Sequence, residues 1–334
     1  MEQEEIIRQL CLVGQRMKAK QKDDALTKAV RRACTENPWF TEEFVMKAME
    51  NISLWLDRDT LRTFADRYPF AKKSERVAII MAGNIPLVGF HDLMCVLLSG
   101  HMAIVKPSSK DKSLLPVLFD GPLGERITFC EERLPEFDAI IATGSNSSAQ
   151  HFHHYFRAYP RIIRRSMVSV GVISGKETRQ ELQGLCQDIM LYMGLGCRSI
   201  SKIFVPEGYD FDPLGLELKA YMYLMDNNKY RNNYDYHKAL MLMNNVAFAD
   251  LGCLLLMENK ELHSGVSVLH YEHYDDKEKV NEYLKDNSEN IQCIVCSGGG
   301  GRNRFPFGQA QRPAIDDFAD NTDTMAWLGL IGRK

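Results

Sequence analysis

The sequence predicts an α/β fold, with two doubly wound parallel sheets preceded by a helical N-terminal region. Three observations carry this. The first seventy residues repeat apolar positions at helical spacing. From Arg76 the pattern changes to short continuous apolar runs, each followed by a turn and then a helical pattern. A second series of the same kind begins near Ser174. Strand, turn, helix and strand in repetition is the order of a parallel sheet with right-handed crossovers, and 334 residues suffice for two ordinary domains.

In the helical region Ile6, Leu10, Leu12 and Val13 fall roughly on one face, followed by Phe44, Val45, Ala48 and Met49, and then by Leu61, Phe64 and Ala65. Asn37-Pro38-Trp39-Phe40-Thr41 interrupts the pattern, with Thr41 as a helix N-cap. Val77 to Ala82 reads as a strand buried on both faces. Gly83-Asn84-Ile85 is its turn and Pro86 suits a first helical position. Phe90, Leu93, Met94 and Leu97 continue that helix until Gly100 ends it. Met102 to Lys106 is the next buried strand, stopped by Pro107, and Ser108-x-x-Asp111 resembles a capping box. A third strand ends in Asp138 to Ala142 and leads through Thr143-Gly144-Ser145-Asn146 into a helix reaching about Phe156. Residues 161–165 read as a basic connector, 167–173 as a strand, 177–191 as an amphipathic helix and 200–205 as a strand. Helices are expected near 214–224 and 236–243, and strands near 253–257, 266–270 and 292–296. The domain expectation is 1–173 for the helical region with the first α/β domain, and 174–310 for the second. Residues 311–334 then return to the first domain or form an oligomerisation arm.

A net charge of -3 supplies no basic field for nucleic acid. The opening Met1-Glu2-Gln3-Glu4-Glu5 is too acidic and polar for a signal peptide. The richest apolar stretch, Leu87 to Leu98, contains His91 and Asp92 and is too short to span a bilayer. Nine cysteines, an odd number without framework spacing, point to reduced thiols and a cytoplasmic setting. Cys293-x-x-Cys296 lies in a buried-strand pattern with no second cysteine or histidine pair following, so no metal site is expected.

The candidate chemistry begins at Met193-Gly194-Leu195-Gly196-Cys197-Arg198-Ser199, where a helical pattern gives way to a strand. Glycines leave room for a ligand to approach the sulfur. Arg198 beside it favours a thiolate and hence a nucleophile. The plainer reading is a small buried hydrophobe, and the local pattern does not decide between them. Asn84 either donates to an oxyanion beside a helix N-terminus or merely closes a tight turn. Lys106, at a strand end, either bonds a ribose or phosphate or is solvated. Thr143-Gly144-Ser145 can wrap a phosphate at a helix start, although it is neither a G-x-G-x-x-G nor a P-loop. Residues 297–301 read as a flexible glycine loop. His151, His153 and His154 do not share a helix face. Arg157, Arg161, Arg164 and Arg165 are either a phosphate-binding patch or a solvated face.

Each motif alone is weak, but their order is informative. Gly83-Asn84-Ile85-Pro86-Leu87, Val105-Lys106-Pro107-Ser108, Ala142-Thr143-Gly144-Ser145, Gly196-Cys197 and Pro306-Phe307-Gly308 occur in the order of the aldehyde dehydrogenase superfamily, which the chain resembles from about Arg76 onward. Glu36-Asn37-Pro38-Trp39-Phe40-Thr41 and the Gly-x-Gly-Cys-Arg-Ser cysteine loop resemble the LuxC-like acyl-CoA reductases. The resemblance implies an aldehyde-dehydrogenase-like fold with a nicotinamide-binding domain and a cysteine-bearing catalytic domain. It also implies that Cys197 takes an acyl group as a thioester while Asn84 and the Cys197 amide stabilise the oxyanion. Lys106 and Ser108 would hold the adenosine ribose. Gly83, Thr143, Gly144 and Ser145 would lie at the cofactor, the Gly144-Ser145 turn at its pyrophosphate. Pro306-Phe307-Gly308 would lie near the substrate mouth. A homo-oligomer and an acyl-supplying partner enzyme are further family expectations.

The departures narrow the reading. Hydrolytic relatives carry a glutamate that activates the deacylating water. The corresponding stretch here, about Met167-Val168-Ser169-Val170-Gly171-Val172, has no carboxylate, which disfavours hydrolysis and favours exchange with coenzyme A. Ser109 stands where NAD-specific relatives tend to have glutamate, so NADPH is admitted beside NADH. A second family glutamate segment is not recognisable near Phe248-Ala249-Asp250-Leu251-Gly252, and the region before the first strand is short for the superfamily. The sequence reading is therefore a cytoplasmic NADPH-dependent acyl-CoA reductase acting on a fatty acyl thioester. The alternatives are an aldehyde dehydrogenase, a cysteine-dependent acyl transferase or thioesterase without hydride transfer, and a non-catalytic scaffold.

Overall fold

The computed structural model describes residues 1–19, 23–301 and 303–331. These form two compact units, Met1–Ser166 with Ala314–Lys334, and Met167–Pro313.

The first unit opens with α1 (Gln3–Lys18), α2 (Asp24–Glu36), α3 (Glu42–Trp55) and α4 (Arg58–Ala65). Their buried faces follow the helical spacing, with one correction. Ile6, Ile7, Leu10, Val13 and Met17 are buried in α1, whereas Leu12 lies off that face and is 45% exposed. Thr41 caps α3, its hydroxyl accepting the Phe44 N–H. The first sheet is built from β1 (Arg76–Ile80), α5 (Phe90–Leu98), β2 (Met102–Lys106), α6 (Leu114–Leu118), β3 (Ile127–Phe129), β4 (Ala139–Thr143), α7 (Asn146–Tyr155) and β5 (Arg161–Arg164). Its order is β3-β2-β1-β4-β5, all parallel.

Side chains alternate across this sheet with the strand period of two. Val77, Ile79, Ala103, Val105, Ala139 and Ile141 join the core shared with the N-terminal helices. Ala78, Ile104, Ile140 and Ala142 face the opposite side, against Phe137, Phe152 and Phe156. Both faces are covered, which is why these strands read as unbroken apolar runs.

Three local expectations are corrected here. The helix after β1 starts at Phe90 with Gly89 as its cap, so Pro86 lies in a loop and Asn84 is six residues from the helix. Ser108-x-x-Asp111 caps nothing. The Asp111 carboxylate instead accepts the Leu87 N–H at 2.7 Å, and α6 begins only at Leu114. Residues 161–165 are not a connector, because Arg161–Arg164 form the edge strand β5. Arg164 is buried there in a bidentate pair with Asp92 of α5, at 2.7 and 3.1 Å, and also donates to Thr324 and the Ala319 carbonyl.

The second unit contains β6 (Val168–Val172), α8 (Arg179–Met190), β7 (Ile200–Pro206), α9 (Asp212–Leu218), α10 (Asn228–Met243), β8 (Ala249–Asp250), β9 (Leu255–Glu258), β10 (Val268–Tyr274), α11 (Lys277–Asp286), β11 (Ile291–Cys296) and β12 (Arg304–Phe305). Its sheet runs β12-β11-β6-β7-β10-β9-β8, parallel except for the short antiparallel β8–β9 pair. Residues 167–173, grouped with the first region on sequence grounds, belong to this unit because β6 pairs with β7 and β11. The helix α12 (Thr324–Leu328) returns to the first unit, where Tyr68 donates to Asp323 and His101 meets the Leu328 carbonyl. Among the described residues no helix is long and apolar enough to cross a membrane.

Candidate active site

In the first unit the strand order reverses between β1 and β4, and open parallel sheets bind ligands beyond the carboxyl ends of strands at such a reversal. The carboxyl ends of β1, β2 and β4 and the loops that follow them carry Asn84 and all of the predicted cofactor residues. Gly83 is buried, and a Cβ there would lie 2.5 Å from the Ser108 hydroxyl, so these two loops close on each other only because residue 83 is glycine. Asn84 is exposed on the same loop. The Gly83 carbonyl accepts from the Asn37 side chain at 3.3 Å, and the Leu87 N–H is held by Asp111. Leu87 is left-handed at φ 58, a strained conformation for a leucine, and the Asp111 bond helps to hold it. Asn37 is 2% exposed and Asp111 7%. Burial pushes the Asp111 carboxyl up to about 7, with the Leu87 N–H opposing, and its second oxygen has no partner.

Lys106 ends β2 and donates to the Glu132 carbonyl. The Ser108 hydroxyl accepts the Lys110 N–H at 3.2 Å, and Ser109 is exposed. Thr143 ends β4, and Ser145 caps α7 by accepting the Ser148 N–H. Gly144 between them has no room for a side chain: a Cβ would lie 2.7 Å from that of Ser148 and 3.0 Å from the Phe152 ring. A cavity of about 1010 Å³ lies against Lys106 and Arg133, walled by Ile80, Phe137, Phe152 and Phe156. Its size is at the upper end of ligand clefts. Phe152 and Tyr155 come from the C-terminal half of α7, Glu132 and Glu136 line the cavity beside Lys106 and Arg133, and the apolar walls suit a flat ring such as adenine. His151, His153 and His154 are exposed on α7, and no metal-binding group of three ligands occurs among the described residues.

Cys197 belongs to the second unit, in the loop that enters β7 at its amino end. The chain reaches it through a kinked turn in which Tyr192 and Met193 are left-handed, both with φ 55. Cys197 is half-buried. The Gly196 carbonyl accepts the Ser199 N–H at 3.0 Å and the Gly196 N–H donates to the Ser199 hydroxyl at 3.2 Å, which ties the peptides on both sides of Gly196 to Ser199. The Cys197 carbonyl accepts from the Ser169 hydroxyl of β6 at 2.9 Å. Arg198 donates to the Ala310 carbonyl and lies over the Phe305 ring. Gln311 donates to Ser199.

The segment 306–311 is in turn tied to α8. Asp188 is fully buried and accepts from the Gly308 N–H at 2.6 Å and the Ala310 N–H at 3.1 Å, while burial pushes its carboxyl up to about 7. Gly308 has φ +84, and a Cβ on Gly184 of α8 would lie 2.7 Å from the Phe307 backbone. The Pro306-Phe307-Gly308 motif thus packs backbone to backbone on the helix before the cysteine loop. Cys293 and Cys296 are both buried in β11.

Residues that sequence reasoning missed are Asn37, Asp111, Ser169 and Asp188. Asn37 lay within a quoted motif, and Asp188 is an acid on the apolar face of a helix, between Leu185 and Ile189.

No family model and no curated protein matches the chain by sequence. Solved structures match by fold. A NAD-dependent benzaldehyde dehydrogenase from Corynebacterium glutamicum has a TM-score of 0.64 at 13% identity, covering 89% of this chain and 76% of that one. Aldehyde dehydrogenase 21 from Physcomitrella patens, in complex with the reaction product succinate, has a TM-score of 0.62 at 14% identity, covering 89% and 73%. An NADP-dependent enzyme from E. coli has a TM-score of 0.64 at 12% identity, covering 89% and 73%. The fold is that of the aldehyde dehydrogenases.

Proposed function

We propose that this chain is an acyl-CoA reductase that takes an acyl group on Cys197 and releases it as an aldehyde. The observation that carries the reading lies at β6. This strand is buried throughout, holds no carboxylate, and commits its only polar side chain, Ser169, to the Cys197 carbonyl. Without a base there to activate water, a thioester on Cys197 persists long enough to exchange with a thiol. Cys197 Sγ attacks the acyl carbonyl, the bond to the coenzyme A sulfur breaks, and coenzyme A leaves as its thiol. Asn84 and the Cys197 N–H are assigned to the oxyanion formed in that step, where one preorganised donor is worth about 10²–10³ in rate.

A bound nicotinamide cofactor supplies the hydride. Lys106, Ser108 and Ser109 are assigned to its adenosine end, and Gly83, Thr143, Gly144 and Ser145 to its phosphates. Ser109 brings no carboxylate to repel a 2′-phosphate, which supports NADPH, with NADH as the second form to be tried; the cavity itself carries Glu132 and Glu136 beside Lys106 and Arg133 and favours neither. A cytoplasmic setting belongs to the same reading, since Cys197 must remain a free thiol. The fatty acyl class rests on the LuxC-like form of the cysteine loop.

Intact-mass spectrometry after incubation with a panel of acyl-CoAs, and again after NADPH, tests this. An adduct on Cys197 that NADPH discharges as aldehyde is the expected result. An adduct indifferent to nicotinamide means a transferase, hydrolysis of the acyl-CoA to free acid a thioesterase, and oxidation of an aldehyde to free acid with NAD(P)+ an aldehyde dehydrogenase. Cys197→Ala should abolish the adduct, and activity surviving that change would end the proposal.

A further inference from the structure

The two strands that flank β6 both change register beside Ser169. On one side Ser169 pairs with Ile200 but Val170 with Lys202, so Ser201 is the extra residue of β7. On the other, Val168 pairs with Ile291 but Ser169 with Cys293, so Gln292 is the extra residue of β11. Bulges interrupt the backbone ladder and redirect the chain next to them, and the groups they displace need other partners. The Ser169 hydroxyl supplies these. It accepts the Cys293 N–H at 3.2 Å, lies 3.1 Å from the Cys293 sulfur and donates to the Cys197 carbonyl at 2.9 Å. A hydroxyl has one donor and two acceptor sites, and here all three are used. The direction of donation is fixed by the Cys197 carbonyl, which can only accept. The single serine proton goes there, which leaves the Cys293 S–H to donate to the serine oxygen.

We infer that Ser169 is a positioning residue for the nucleophile: by holding the Cys197 carbonyl between two bulged strands, it orients the backbone that presents Cys197 and its N–H to the acyl group. The inference rests on the reading of Cys197 as nucleophile.

Two reactions of Cys197 separate orientation from mere folding. Acylation by p-nitrophenyl acetate needs a carbonyl seated on the oxyanion donors, and is followed as a burst of p-nitrophenolate. Alkylation by iodoacetamide is a displacement without an oxyanion. Ser169→Ala is expected to slow acylation by about 10- to 100-fold, with alkylation of Cys197 and its pH profile changed by less than about threefold. Ser169→Thr, which restores the hydroxyl, is expected to bring acylation back. If Ser169→Ala does not fold, Ser169→Cys carries the same comparison, with alkylation at Cys197 mapped by peptide mass. Acylation at the wild-type rate in the hydroxyl-less variant overturns the inference, as does a parallel fall in both reactions. A burst surviving in Cys197→Ala overturns the nucleophile reading itself. A silent Cys197→Ala beside an unaffected Ser169→Ala overturns only the role of Ser169.

Discussion

Asp111 offers a measurement of what the Asn84 loop costs the fold. Its carboxyl is buried, one oxygen takes the Leu87 N–H at 2.7 Å and the other has no partner, and burial raises it from 3.8 to about 7. The folded state therefore binds this proton more tightly than the unfolded chain. The stabilisation is fully present below about pH 4, declines as pH rises towards 7, and is level above. Between pH 5 and pH 8 the loss from this one group is about 2–3 kcal/mol, at roughly 1.4 kcal/mol per pH unit over the titrating part of the window. Relaxation around the ionised carboxylate reduces that figure without reversing its sign. Asp111→Asn keeps an acceptor for Leu87 and cannot ionise, so it should lack this component.

The assay is urea unfolding of both proteins across that pH range. All three tryptophans, Trp39, Trp55 and Trp327, lie in the first unit, so their fluorescence reports the unit that contains Asp111. The variant should gain on the wild type as pH rises. Parallel pH profiles, within the ~0.5 kcal/mol that such extrapolations resolve, would refute the buried-acid account.

Other changes test separate parts of the frame. Asp92→Ala strands the buried Arg164 guanidinium and should cost about 3–5 kcal/mol, read by the same fluorescence. Thr41→Ala removes the cap of α3 and should cost ~1 kcal/mol. Gly144→Val forces a side chain onto Ser148 and Phe152 and should weaken NADPH binding about tenfold or more, measured by titrating the cofactor's fluorescence.

The parts of the fold that sequence conveyed are those written in local period. The buried strands β1, β2 and β4 and the helix after Thr143-Gly144-Ser145-Asn146 follow from unbroken apolar runs and the turn between them. β5 escaped because its two arginines outweighed the two isoleucines between them, and burial of Arg164 depends on Asp92, seventy-two residues earlier. Pro86 and Ser108-x-x-Asp111 each matched a local signal that a tertiary contact overrode, namely the hold of Asp111 on Leu87. The reach of Asn37 to Gly83 and of Asp188 to Gly308 spans 46 and 120 residues, so a motif and an acid on an apolar helix face mark the two side chains but not what they hold.

Asp111 and Asp188 are raised alike, each to about 7 by burial, so each binds its proton more tightly in the closed structure than when opened to water, and the two sites differ only in where the proton sits. At Asp111 a proton can sit on the oxygen that has no partner, leaving the acceptor of Leu87 intact. At Asp188 both oxygens are engaged, one by Gly308 and one by Ala310, so a proton on either one weakens an acceptor. Acidification from pH 8 to pH 6 should therefore favour the closed form at both sites, because relief of the buried charge at Asp188 outweighs the weakened acceptor. Amide hydrogen exchange, corrected for the intrinsic pH dependence, measures both in one sample. Protection at Gly308 and Ala310, and at Leu87, should rise by about tenfold on acidification, one pH unit of linkage at each site. A fall at Gly308 and Ala310 would mean that the lost acceptor at Asp188 outweighs the relief of its buried charge, and would refute the linkage argument there. Asp188→Asn, which cannot ionise, should abolish the pH dependence at Gly308 and Ala310 and leave that at Leu87.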